Sequence, residues 1–186
     1  GKSLGFVPTM GALHNGHLSL IHQSGTVADV TVCSIFVNPA QFNDKADFDR
    51  YPATPEQDIL LLEKEKTDIL FLPDVQEIYP DGFISNLSWS PNHLENILEG
   101  YYRPGHFRGV CMVMHRLLSI VGPEELFMGQ KDYQQCMVVK SLIDHFYLPV
   151  HINIVPTQRE PSGLAMSSRN MRLSAKGKLN ASGIYK

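Results

Sequence analysis

Residues Val7-Pro8-Thr9-Met10-Gly11-Ala12-Leu13-His14-Asn15-Gly16-His17 join an apolar segment, Leu4 to Val7, to a helical pattern beginning at Leu18. A strand end, a glycine-bearing turn and a helix start therefore follow one another directly. Gly11 and Gly16 let a ligand approach the backbone closely. The helix start offers free N–H groups and the positive end of a dipole to a phosphate. His14 and His17 are three apart, so on a first helical turn both rings can face one point. Two imidazoles there can donate hydrogen bonds to a phosphate as charge develops on it. Taken alone, an HxxH pair reads as two surface histidines, and a metal site lacks a third ligand nearby. The strand, glycine and helix context favours the phosphate reading. Neither a Walker loop nor a GxGxxG fingerprint occurs.

Outward from this stretch, four apolar segments read as strands: Leu4 to Val7, Val30 to Val37, Ile69 to Leu72 and Val150 to Val155. They are rich in Val, Ile and Phe and bounded by Pro, Asn or Asp. A further strand end falls at Leu126. Helical patterns cover Leu18 to Gln23, Pro55 to Lys66 with Thr54 as N-cap, Val110 to Val121, and Tyr133 to Phe146. The alternation predicts an α/β fold, a Rossmann-like parallel sheet with helices on both faces. The irregular stretch from Ile84 to Ser90 reads as a surface excursion or a short extra strand. In such sheets ligands sit at the carboxyl ends of the strands. The chemically unusual segments fall there: Pro8 to His17, Asn38 to Gln41, Gly129 to Gln135, and Arg159 to Asn170.

Composition narrows the function classes. The 186 residues hold 16 Lys and Arg against 19 Asp and Glu, a formal net charge of −3. That balance argues against a broad basic face for nucleic acid. Hydrophobic residues at 43% and charged residues at 19% fit a packed globular chain. No apolar run approaches the roughly 18 residues of a membrane span, and no leader pattern opens the sequence. Cys33, Cys111 and Cys136 are far apart and form no CxxC pair, which suits buried thiols in a reducing cytoplasm. Both ends look cut. Residues 1–173 read as one domain, and 174–186 as the start of a linker or a following helix.

The other segments carry polar groups suited to a polyphosphate and a small polar substrate. Asn38 and Gln41 can point amides into the crevice, although Asn-Pro also marks ordinary turns. Lys131 near a helix start favours an anion, and Asp132 can cap that helix or accept from a ribose. Gln135 lies one turn on. Ser167, Ser168 and Arg169 make a phosphate clamp or, more blandly, a polar loop. Arg103 to Gly109 adds cationic donors at another helix start. Asp58 reads equally as a magnesium ligand or as part of a solvated helix face. His22, His93, His115, His145 and His151 show no spacing that demands a role.

With these segments in order, the chain resembles the pantoate–β-alanine ligase (pantothenate synthetase) family of the HxGH nucleotidylyltransferase superfamily. The resemblance rests on VPTMGALHNGH, SIFVNPAQF, RYP at Arg50 to Pro52, RPGHFRGV, GQKDYQQ and REPSGLAMSSRN. It implies a cytoplasmic homodimer and a smaller C-terminal domain absent from this sequence. It implies an enzyme that uses ATP and Mg²⁺ to join pantoate to β-alanine through a pantoyl-adenylate, releasing AMP and pyrophosphate. Carried over by position, His14, His17 and Lys131 would stabilise the α-phosphate, and Ser167, Ser168 and Arg169 the β- and γ-phosphates. Gln41, Gln135 and, more weakly, Asn38 would bind pantoate, and Gly129 and Asp132 the ribose. Met10, Gly11, Gln158 and Met166 would frame the nucleotide, and Asp58 would help place magnesium. HxGH by itself also admits another nucleotidylyltransferase, or a truncated nucleotide-binding module without turnover.

Overall fold

Phe6 and Val7, neighbours on the first strand, point to opposite faces of a parallel sheet, and each joins a core of its own. The computed structural model describes residues 1–83 and 89–185. Its strands are β1 (Leu4–Thr9), β2 (Val30–Ile35), β3 (Ile69–Phe71), β4 (Glu125–Gly129) and β5 (His151–Val155). They pair in the order β3-β2-β1-β4-β5, all parallel. The helices in chain order are α1 (Asn15–Val27), α2 (Lys45–Asp49), α3 (Pro55–Lys64), α4 (Val75–Ile78), α5 (Leu98–Tyr102), α6 (His106–Val121), α7 (Tyr133–His145) and α8 (Ala175–Ala181).

Helices cover both faces. Phe6, Val32, Leu126 and Met128 pack with Phe107, Val110 and Met114 of α6 and with Val139 and Ile143 of α7. Val7, Cys33, Ile35 and Phe127 pack on the other face with Leu20 and Ile21 of α1 and Leu62 of α3. Each fully buried Leu, Val or Phe contributes about 1.5–3 kcal/mol, so the two layers dominate stability. The three cysteines are free and buried.

Several boundaries differ from expectation for local reasons. The strand end placed at Leu126 lies at Gly129, because Leu126 and Met128 serve one core and Phe127 the other. Strand β2 stops at Ile35 rather than Val37, since Asn38 and Pro39 open a tight turn in which the Asn38 side chain accepts the Ala40 N–H. Helix α3 ends at Lys64 because Lys66 takes a left-handed φ of 57°. The stretch 84–88, expected as a surface excursion or extra strand, lies outside the described residues.

The strand order decides where a ligand can sit. Successive strands run outward from β1 to β3, and the chain then crosses to the other side of β1 to build β4 and β5. The carboxyl ends of β1 and β4 are thus a topological switch point, where neighbouring loops diverge and leave a crevice. The loops opening from these ends are Met10–His14 and Gln130–Asp132.

Candidate functional site

The loop after β1 is clamped before it reaches its histidines. Gly11 and Ala12 are consecutive left-handed residues, with φ of 79° and 49°. For alanine that conformation costs about 1–2 kcal/mol, so it needs outside support. Asp58 supplies it, Oδ2 accepting the Ala12 N–H and Oδ1 the Leu13 N–H, each at 2.8 Å. The Ser168 hydroxyl donates to the Ala12 carbonyl at 3.0 Å from the other side.

Asp58 is 1% exposed and does not line the cavity, so neither reading of it from sequence holds. It is no solvated face. As a magnesium ligand it is already committed, since Oδ1 also takes the Thr54 hydroxyl at 3.2 Å. Thr54 occupies the N-cap position of α3 without capping the backbone.

The two histidines fix each other. Nδ1 of His14 accepts the Gly16 N–H at 3.1 Å, and Nδ1 of His17 accepts the His14 N–H at 3.2 Å. Their ring centroids are 4.1 Å apart. A neutral imidazole that accepts at Nδ1 must carry its proton on Nε2. These hydrogen bonds therefore assign both rings as Nε2–H donors. Burial, with the charge of Lys131, lowers the His14 pKa. Burial, His14 and Lys131 push that of His17 down to about 3. At neutral pH the pair consists of uncharged donors at a helix N-terminus.

The turn after β2 holds one expected residue in the cavity and commits the other. Asn38 is 1% exposed, and its Nδ2 donates to Gln41 Oε1 and to the Gly109 carbonyl, each at 3.1 Å. Its Oδ1 accepts from the Tyr79 hydroxyl at 2.8 Å and from Ala40 N–H at 3.2 Å. All four bonding directions of that amide are used. Asn38 borders the cavity, but its side chain aims Gln41 rather than offering an amide of its own. Gln41 keeps one N–H beyond the bond from Nε2 to Met10 Sδ, at 3.0 Å. The Gln41 backbone carbonyl accepts from Nδ1 of buried His106 at 2.8 Å, and His106 Nε2 faces Arg103 Nη1 at 3.1 Å. Arg103 and His106, expected as extra cationic donors, thus brace Gln41. Burial lowers the His106 pKa.

The remaining loops close the ring. Lys131 and Asp132 stand side by side, Nζ to Oδ2 at 3.2 Å, and Asp132 makes no capping bond to α7. Ser167 Oγ accepts the Arg169 N–H at 3.3 Å, and no acceptor among the described residues takes its own proton. Ser168 is buried and gives its proton to Ala12, so it ties the loop down instead of meeting a ligand with its hydroxyl proton. Arg169 pairs with Asp47, Nη2 to Oδ2 at 2.7 Å.

Together these groups line one cavity of about 240 Å³. Met10, His14, His17, Asn38, Gln41, Gly129, Lys131, Asp132, Gln135, Gln158, Met166, Ser167, Ser168 and Arg169 all border it; Gly11 and Asp58 stand behind it. Tyr51, Glu99, Arg103 and His106 border it as well. Tyr51 carried a signal as part of RYP, whereas Asp47, in the charge-dense stretch Asp44 to Arg50, looks like any solvated helix. Among the described residues no three His, Cys, Asp or Glu side chains converge to hold a metal ion, and no helix is long and apolar enough to cross a membrane.

Comparison with known proteins points to one family. Residues 1–186 match the family described as pantoate-beta-alanine ligase. A pantothenate synthetase of Cytophaga hutchinsonii is 52% identical over 99% of this chain and 64% of its own length. One from Francisella tularensis subsp. novicida is 49% identical over 94% of this chain and 66% of its own. The chain thus spans just under two thirds of these curated relatives. The crystal structure of a Francisella tularensis pantoate-beta-alanine ligase complexed with beta-gamma ATP and beta-alanine is similar at TM-score 0.94 and 47% identity, over 99% of this chain and 70% of that one. A pantothenate synthetase from Thermus thermophilus gives 0.93 at 44%, over 98% and 66%.

Proposed function

The chain belongs to the pantoate-beta-alanine ligase family, and from that premise we propose that it forms pantoyl-adenylate from ATP and pantoate and passes the pantoyl group to β-alanine. The observation that carries the reading is the pair of neutral Nε2–H donors, His14 and His17, at the start of α1. They border the same cavity as Lys131 and the amides of Gln41 and Gln135.

In the proposed reaction a carboxylate oxygen of pantoate attacks the α-phosphorus and the bond to pyrophosphate breaks. The amine of β-alanine then attacks the acyl carbon, and AMP leaves with the C–O electron pair. No protein nucleophile is required, so the chain acts by positioning and by stabilising charge. His14 and His17 donate to the α-phosphate oxygens, and Lys131 adds a positive charge beside them. Arg169 and Ser167 take the β- and γ-phosphates. Ser168 serves this group by anchoring its loop. Gly129 and Asp132 lie against the ribose, Met10, Gln158 and Met166 frame the nucleotide, and Gln41 and Gln135 orient pantoate.

Magnesium fits as a companion of the triphosphate, held chiefly by phosphate oxygens and water. Asp58, buried behind the cavity with its oxygens accepting the Ala12 and Leu13 N–H groups, supports the loop after β1 rather than the ion in this reading. The wider proposal is a cytoplasmic homodimer, with no nucleic-acid or membrane partner. In it residues 1–173 form the ATP- and pantoate-binding domain, and 174–186 lead toward a second one.

The test is pantoate-dependent exchange of labelled pyrophosphate into ATP, with Mg²⁺ and without β-alanine. Exchange is expected to fall by about 10²–10³ in a His17→Ala variant, the usual cost of losing one donor to developing charge. Exchange that needs no pantoate, or that survives in His17→Ala, would refute the reading.

A further inference from the structure

Among the described residues, Arg169 is held by one edge. Asp47 on α2 meets its guanidinium at Nη2, 2.7 Å from Oδ2, and more loosely at Nε, 3.4 Å from Oδ1. A guanidinium carries five N–H groups in a fixed plane. The Asp47 contacts use two of them, which leaves both N–H groups of Nη1 and one of Nη2. No protein acceptor meets those three among the described residues, and Arg169 borders the cavity. The Tyr51 ring lies 5.4 Å from the guanidinium carbon and limits its swing. Oδ1 of Asp47 also receives Arg172 Nη1 at 2.9 Å, and Arg172 Nη2 donates to the Arg50 carbonyl. One carboxylate therefore fastens the loop that carries Ser167 to Arg172 onto the segment that carries α2, across 122 residues of sequence.

We propose that Asp47 is a positioning residue for the nucleotide's terminal phosphates, gripping one edge of Arg169 so that the opposite edge is presented to the cavity. The inference rests on Arg169 meeting those phosphates, as in the reading above. A free arginine side chain must surrender several rotamers when it takes hold of a phosphate, whereas one already held surrenders few, and its ligand binds tighter for that reason. The two anions need not compete, because a planar guanidinium can bond a carboxylate along one edge and a phosphate along the other. Asp47 itself touches no substrate atom in this arrangement.

The test is ATP–Mg²⁺ and, separately, pantoate binding to the chain by calorimetry, in the unsubstituted protein and in Asp47→Asn, Asp47→Glu, Arg169→Ala and Asp47→Asn/Arg169→Ala. Asp47→Asn should weaken ATP binding about tenfold and leave pantoate binding unchanged. Asp47→Glu should recover part of the loss. Adding Asp47→Asn to Arg169→Ala should cost nothing further, because the carboxylate acts through that arginine. Tighter ATP binding in Asp47→Asn would mean that the carboxylate competes with phosphate, and would overturn the proposal. Unchanged binding would do the same, as would additive losses in the double variant. Equal weakening of ATP and pantoate with a lowered Tm would reduce Asp47 to a structural tie. If the unsubstituted chain binds no ATP, the reading of the whole site fails and this inference with it. ATP binding that Asp47→Asn leaves intact sinks the inference alone.

Discussion

Gly16 lies so close to His14 that a β-carbon built on it would stand 2.8 Å from Cε1 and 2.9 Å from Nδ1 of the ring. The glycine of the HxGH sequence is therefore a spacer that lets the first imidazole fold back over the helix start and accept the Gly16 N–H. A Gly16→Ala variant should push the ring aside and lower pyrophosphate exchange by about 10²-fold, in the range for losing one donor to developing charge. Helix weakening cannot account for such a loss, since alanine is favoured over glycine in a helix by roughly 0.8–1.0 kcal/mol. Exchange and urea unfolding measured side by side decide the point. Undiminished exchange would show that the close packing is incidental.

The neutral histidines predict an acid limb in stability. The folded pKa of His17, about 3, lies below its unfolded value, which is near 6.5. Between those values the unfolded state binds more protons, so stability rises with pH across the window. The contribution is complete above about pH 6.5 and is lost as pH falls toward 3. Protonation at Nδ1 also removes the acceptor for the His14 N–H. In His17→Gln the amide oxygen can still accept that bond but cannot titrate. Its unfolding free energy should vary less steeply than the parent's between about pH 6.5 and 4.5. Parallel curves would show that His17 titrates normally in the fold.

The sheet and the strand-end loops were legible because their signals are local: hydrophobic alternation, turn residues, and two histidines at helical spacing. Residues whose hydrogen-bond partners lie far along the chain are not legible in this way. Asp58 looked like a helix-surface acid or a metal ligand, since nothing in Pro55 to Lys64 announces backbone N–H groups 45 and 46 residues away. Asn38 looked like a substrate amide because its donors and acceptors go to Gly109, Gln41, Tyr79 and Ala40, and only the packing of α4 and α6 brings Tyr79 and Gly109 near. Asp47 carried no signal at all. Its partners, Arg169 and Arg172, lie at the far end of the chain.

The reassignment of Asp58 has its own test. Asp58→Asn keeps the shape but turns one acceptor into a donor that faces a backbone N–H. Leaving such a buried group unpaired costs about 1–3 kcal/mol, which urea unfolding would read directly. The magnesium concentration for half-maximal exchange should stay the same in the folded variant, because the carboxylate supports the loop rather than the ion. A several-fold rise in that concentration without loss of stability would restore the metal-ligand role.

Gly109 of α6 packs directly against the turn that carries Gln41. A β-carbon there would collide with the carbonyl of Ala40 and stand 2.6 Å from the α-carbon of Gln41, both backbone atoms that cannot rotate away. The Gly109 carbonyl also accepts from Asn38, so any shift of α6 loosens the amide that aims Gln41. Gly109→Ala should therefore displace the turn that carries Gln41 and leave the His14, His17 and Lys131 cluster in place. Overpacking of this kind costs about 1–3 kcal/mol in stability. Intrinsic helix propensity runs the other way, so a net loss in urea unfolding would itself report the clash. In exchange kinetics the KM for pantoate should rise several-fold while that for ATP stays near its parental value. Equal rises in both would mean that the turn after β2 and the loop after β1 move as one body, and that pantoate and nucleotide recognition are not separable in this fold.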